Sequence, residues 1–96
     1  DRLESQIVEE VRVAERNARY QLQAVQAAAA SRALAERQLS WEQSRYREGL
    51  STNFQVLEFQ QQLAESRYSH TLARANLVKA LTQLEFAQGV LGERAP

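Results

Sequence analysis

Glu48-Gly49-Leu50-Ser51-Thr52-Asn53 is the one interruption in a chain of 96 residues otherwise written for helix. Gly49 is placed to take the left-handed conformation that ends a helix. Thr52 and Gln55, three apart, fit a capping box that starts the next helix. Thr52 would accept the Gln55 backbone N–H, and the Gln55 side chain would reach back. So short a connection makes the flanking helices antiparallel neighbours. The expected architecture is all-α: one long antiparallel hairpin over 1–96, coiled-coil-like. Its first helix covers 2–48, its turn 49–52 and its second helix 53–91.

Outward from the turn, each arm carries a helical stripe. The first runs through Ile7, Val11, Ala14, Ala18, Leu22, Val25, Ala28 or Ala29, Ala35 and Leu39. Its steps are mostly three or four, with a gap near Arg32. The second runs through Val56, Leu57, Leu63, Ala64, Leu72, Ala75, Val78, Leu81, Leu84, Ala87 and Leu91, with Gln60-Gln61-Gln62 as a polar break. Pairing about the turn sets Leu39 near Leu63, Val25 near Leu77 and Val11 near Val90. It sets Trp41 opposite Gln60, where the indole would cover the glutamine amides, and His70 roughly opposite Ser31. The charged pairs Glu9/Arg12, Glu15/Arg19, Arg32/Glu36 and Glu42/Arg45 read as a solvated face, each adding about 0.2–0.5 kcal/mol.

Composition agrees with long helices. Ala, Gln, Glu, Leu and Arg are abundant, Pro96 is the one proline, and glycine occurs only at 49, 89 and 92. Twelve basic and twelve acidic groups cancel, leaving no field to draw nucleic acid or an anionic membrane. There is no cysteine, hence no disulfide or thiolate metal site. No apolar run approaches the ~20 residues of a membrane helix. Asp1-Arg2-Leu3-Glu4 is no signal peptide and begins inside a helix without a clear cap, as expected of a segment of a longer protein.

Two helices alone bury little. The first is also apolar off its main stripe, at Val8, Val13, Ala24, Ala27, Ala30, Ala33 and Leu34. Such a helix suits a ring or bundle with neighbours on both sides. Alone, the hairpin is expected to self-associate through those faces or to stay marginal.

The turn region Glu42-Gln43-Ser44-Arg45-Tyr46-Arg47-Glu48-Gly49-Leu50-Ser51-Thr52-Asn53-Phe54-Gln55-Val56-Leu57 resembles the second periplasmic tip of TolC-like outer-membrane efflux proteins. Similar too are Gln62-Leu63-Ala64-Glu65-Ser66-Arg67-Tyr68, the stretch Ala73 to Leu81, the ending Leu84 to Gly92, and Val11-Arg12-Val13-Ala14. The resemblance covers nearly the whole chain and rests on the order and spacing of pieces that are individually weak. It implies a trimeric conduit in which an outer-membrane β-barrel continues into a periplasmic α-barrel, each protomer donating two hairpins. This chain would be the second hairpin, in the periplasmic part of a Gram-negative outer-membrane protein. Its tip would dock to a periplasmic adaptor that links it to an inner-membrane pump, for export of drugs or other solutes. By the same resemblance, Tyr46 and Glu58 match aperture positions, and Gly49, Leu50, Ser51 and Thr52 match the docking turn. Ser51 stands where some relatives have an Arg of the aperture network, and Gln55 where some have a second acidic residue. An aperture lock and a cation-binding acidic ring are therefore not implied.

Each of these residues has a plainer reading. Tyr46 can be a helix-face aromatic, Glu58 a solvated carboxylate near a helix N-terminus, and Gly49 purely structural. Tyr20, Phe54, Phe59, Tyr68 and Phe86 read as seam or interhelix packing. His70 has no second histidine or carboxylate at ligand spacing, so no metal site is expected. Ser44, Ser51 and Ser66 lack a histidine partner, and there is no phosphate loop, so neither enzyme activity nor a cofactor is expected. Two other functions compete. One is the hairpin of a periplasmic adaptor, whose usual Arg/Leu/Ser tip signature and flanking lipoyl-like segments are not seen here. The other is a generic coiled-coil interaction module, which calls for a strict a/d seam.

Overall fold

A computed structural model describes residues 1–94, apart from the Arg94 side chain. Helix α1 spans Arg2–Arg47 and helix α2 spans Asn53–Arg94. The fold is an all-α helical hairpin, with the boundaries within three residues of those expected. α2 continues past Leu91 because Gly92 is its only obstacle there, and an exposed mid-helix glycine costs only about 1 kcal/mol. At the start of α1 the Asp1 carboxylate accepts the Leu3 N–H at 3.2 Å, so the helix does carry a capping side chain.

The chain divides into two compact units. The first joins Asp1–Val25 to the chain from Ala73 onward, and the second is Gln26–Leu72.

In the first unit the buried side chains are Ile7, Val11, Ala18 and Ala80. Ala80, only 1% exposed, is the most enclosed of the described residues. An alanine at such a point lets the two backbones approach closely. The half-buried positions of α2 in this unit are Ala73, Leu77, Leu84, Ala87, Val90 and Leu91. The seam therefore turns by alternating steps of three and four through Ala73, Leu77, Ala80, Leu84, Ala87 and Leu91. Ala75, Val78 and Leu81, expected in the stripe, are exposed. On α1 the half-buried Gln21 takes the seam place expected for Leu22, which is exposed. Each flank of this unit carries a groove between the helices. One is a shallow groove among Asn17, Gln21, Asn76, Lys79 and Gln83. The other is an apolar groove among Ala18, Leu22, Leu77, Leu81 and Leu84, edged by Glu15 and Arg19.

In the second unit the buried side chains are Ala35, Glu42 and Leu63. The α2 seam here is Val56, Phe59, Leu63, Ser66 and His70, all buried or half-buried, while Leu57, Ala64 and Leu72 face outward. Arg32 fills the gap in the α1 stripe. Its Nη1 lies 3.4 Å from His70 Nδ1 across the seam, so His70 faces Arg32 and not Ser31. Arg32 Nε also donates to Glu36 Oε1 at 3.0 Å. Of the four expected intrahelical ion pairs, Arg32–Glu36 and Glu42–Arg45 form. Glu9 reaches Arg16 at 3.6 Å instead of Arg12. That contact lies between two exposed side chains and contributes little.

Among the expected packing aromatics, Tyr20, Phe54, Tyr68 and Phe86 are exposed, and only Phe59 is half-buried in the seam. A seam with steps of three and four has room for about two residues in seven. The remaining apolar side chains are left outside for want of a third helix.

Candidate functional site

The turn is a built structure. The N–H of Leu50 donates to Arg45 O at 2.8 Å, and that of Gly49 to Tyr46 O at 3.0 Å. These two bonds, with Gly49 at φ +80°, make a Schellman closure of α1. The space beside Gly49 is open, so a side chain there would meet backbone strain and no clash. Thr52 Oγ1 accepts the Gln55 N–H at 3.2 Å, as the capping box requires. The reciprocal half is absent, because the Gln55 side chain turns to Ser51, 2.9 Å from its hydroxyl.

Below the turn lies Glu42, 2% exposed. Its Oε1 accepts the Ser51 hydroxyl, and its Oε2 lies 3.5 Å from Arg45 Nη1. A buried carboxylate is costly unless its lone pairs are met. Both oxygens here have partners, one from each side of the turn. Ser51 has a single hydroxyl proton, which goes to the carboxylate. The Gln55 contact is then an amide N–H donated to the Ser51 oxygen.

Arg45 is the second support. Nη2 donates to Leu50 O at 3.0 Å, Nη1 faces Glu42, and the guanidinium sits 4.9 Å above the centre of the Trp41 ring. A planar five-donor group can serve a carbonyl, a carboxylate and an aromatic face together, which an ammonium cannot. Trp41 is 61% exposed. It lies under Arg45, and Gln60, Gln61 and Gln62 are exposed.

Around these supports the expected site residues point outward. Tyr46, Gly49, Leu50, Thr52 and Glu58 are exposed, and Ser51 is half-buried against Glu42. Gly49, Leu50, Ser51 and Thr52 form one surface with Tyr46. No bond joins Glu58 to them among the described contacts. Phe54, 71% exposed, and Leu57 add apolar surface at the start of α2. Glu42 and Arg45 were legible only as an i,i+3 surface pair. A signal for more was present: Glu42 falls in the three-four rhythm of the seam, after Ala35 and Leu39.

Chemically the site can offer a rigid turn with apolar side chains around it. Among the described residues no group of three His, Cys, Asp or Glu side chains is placed to hold a metal, and no helix is long and apolar enough to cross a membrane. Comparison with family models, with curated proteins and with solved structures finds no match to this chain.

Proposed function

We propose that this hairpin is one wall segment of a periplasmic tunnel in a trimeric outer-membrane efflux channel of the TolC-like kind. Its turn would be the surface that docks to a periplasmic adaptor protein and, through it, to an inner-membrane pump. The observation that carries the reading is the presence of exposed apolar side chains on both flanks of the helix pair. In the second unit Leu34 lies about 60° round α1 from Ser31 at 100° per residue. That places it on the flank where Ser31 lines a groove with Gln62, Glu65 and Ser69. Leu57 lies about 140° round α2 from Gln62, on the opposite flank. In the first unit Val13 and Phe86 share one flank, and Leu22 and Leu81 share the other. A hairpin with apolar surface on both sides suits head-to-tail packing, in which unlike faces meet and a ring can close.

The prebuilt turn supports the docking part. A surface whose backbone is already bonded loses little entropy when a partner arrives. In this reading the hairpin is a passive wall. Opening would come from movement of hairpins relative to one another, with the adaptor favouring the open arrangement.

A second reading has its own observation. The seams Ala28-Arg32-Ala35-Leu39-Glu42 and Val56-Phe59-Leu63-Ser66-His70 keep an unbroken three-four rhythm. Such regularity suits a generic coiled-coil interaction module. Cysteines placed at Tyr46 or Leu50 in the intact protein separate the two. Crosslinks between protomers, or to a co-expressed adaptor, are the expected result. If the tip gives none, and cysteines along one helix face instead capture an unrelated partner, the tunnel reading fails and the coiled-coil module takes its place.

A further inference from the structure

One face of α2 in the first unit carries Arg74, Val78, Leu81 and Glu85, at steps of four, three and four. With 3.6 residues to a turn, Arg74 and Glu85 lie within about 20° of each other round the helix and about 16 Å apart along it. The two charges therefore bracket the two apolar side chains on a single line. All four residues are exposed, Val78 to 63% and Leu81 to 44%. Leu81 also lines the apolar groove with Leu22, itself exposed, so the apolar patch continues across to α1.

Neither charge serves the hairpin. The described ion pairs are Arg16–Glu9, Arg32–Glu36 and Arg45–Glu42. No residue three or four positions from Arg74 or Glu85 carries an opposite charge, so the intrahelical pairing that supports exposed charges is missing. A basic end and an acidic end make the line complementary to itself when reversed. Laid antiparallel on a second copy, Arg74 meets Glu85 of that copy, Glu85 meets its Arg74, and Val78 lies against its Leu81. Parallel copies would instead set like charges together.

We propose that this face is the contact of an antiparallel two-fold dimer. Two hairpins pair there through Arg74–Glu85 ion pairs at both ends of an apolar contact made by Val78, Leu81 and Leu22. The proposal does not rest on the tunnel reading. In head-to-tail packing this flank meets an unlike one, whereas in the dimer it meets itself. Association through the exposed leucines of the second unit is a further step.

The test is sedimentation equilibrium on the full chain, as the natural sequence and with Arg74→Glu or Glu85→Arg. Both positions are exposed, so the circular dichroism of the dilute chain should not change. By symmetry each reversal sets like charges at both ends of the contact, and the dissociation constant of the dimer should rise about tenfold, the scale of two surface pairs turned from attractive to repulsive. Mixed one to one, the two variants are complementary at both ends, and the mixture should dimerise within about threefold of the natural chain. A natural chain that stays monomeric overturns the proposal. So do reversals that leave association unchanged, or a weakening that the mixture does not repair. Should a reversed chain lose its helical signal, cysteine pairing decides. Under mild oxidation, a mixture of Val78→Cys and Leu81→Cys chains should form the mixed disulfide faster than a mixture of Val78→Cys and Val13→Cys chains, and equal rates overturn the proposal.

Discussion

Glu42 places a carboxylate where the rhythm of the seam asks for an aliphatic side chain, and the turn is built around meeting its needs. Replacing it with Ala removes the acceptor for Ser51 and leaves Arg45 without its charge partner. Glu42→Ala is expected to cost about 1–3 kcal/mol in urea unfolding, the usual penalty for breaking a buried, charged hydrogen bond. Gly49 gives a cleaner case. Its φ of +80° is paired with open space, so Gly49→Ala should cost about 1 kcal/mol through the backbone alone. A cost near zero would mean that the turn is not left-handed in solution. These two residues also show what can be read in advance. The glycine stop and the Thr52 cap were legible because their chemistry is local. The burial of Glu42 was legible only in its place in the rhythm of the seam; its pairing with Ser51 was not, because Ser51 becomes a neighbour only after the chain has turned.

The two helices differed in how well their seams could be read. On α1 the stripe was legible nearly throughout, and its only misplacement was Leu22 for Gln21. On α2 apolar residues occupy every face, so periodicity could not choose among them. Leu57, Leu72 and Val78 proved to be outside, while Ser66 and His70 are inside. The two Ala positions test this register directly. Ala80→Leu should crowd a seam position that is only 1% exposed and cost about 1–3 kcal/mol. Ala75→Leu, on the exposed face, should change stability by less than about 0.5 kcal/mol. The reverse order in thermal melts would mean that α2 is rotated from the seam described here. The Gln55 side chain, which supports Ser51 and does not close the capping box, was a local misreading of the same kind: two acceptable partners, with tertiary geometry choosing.

At the scale of the whole molecule, exposed surface outweighs core. Among the described residues six apolar ones are buried, whereas fifteen large ones are exposed, more than a stable monomer ordinarily leaves in water. The isolated chain is therefore expected to self-associate at micromolar concentration. Sedimentation equilibrium should show a mass that rises with concentration. Replacing Leu34 and Leu57, both exposed, together with Ser should weaken association while leaving the melting behaviour of the dilute protein nearly unchanged. A compact monomer at every concentration would remove the main reason for seeking helical neighbours.

The bonds across the hairpin also set an order in time. Glu42 and Ser51 are nine residues apart in the chain, and Arg32 and His70 are thirty-eight apart. Closing the shorter loop is easier by about 1.3 kcal/mol on chain-entropy grounds, close to a tenfold advantage in probability. The turn is therefore where pairing starts, and each further layer closes on the one before it, with the pairing around Ile7 and Val11 last. Substitutions at Glu42 should slow folding, whereas those at Val11 should mainly speed unfolding. Stopped-flow kinetics on the two variants would show which end of the molecule the chain commits to first.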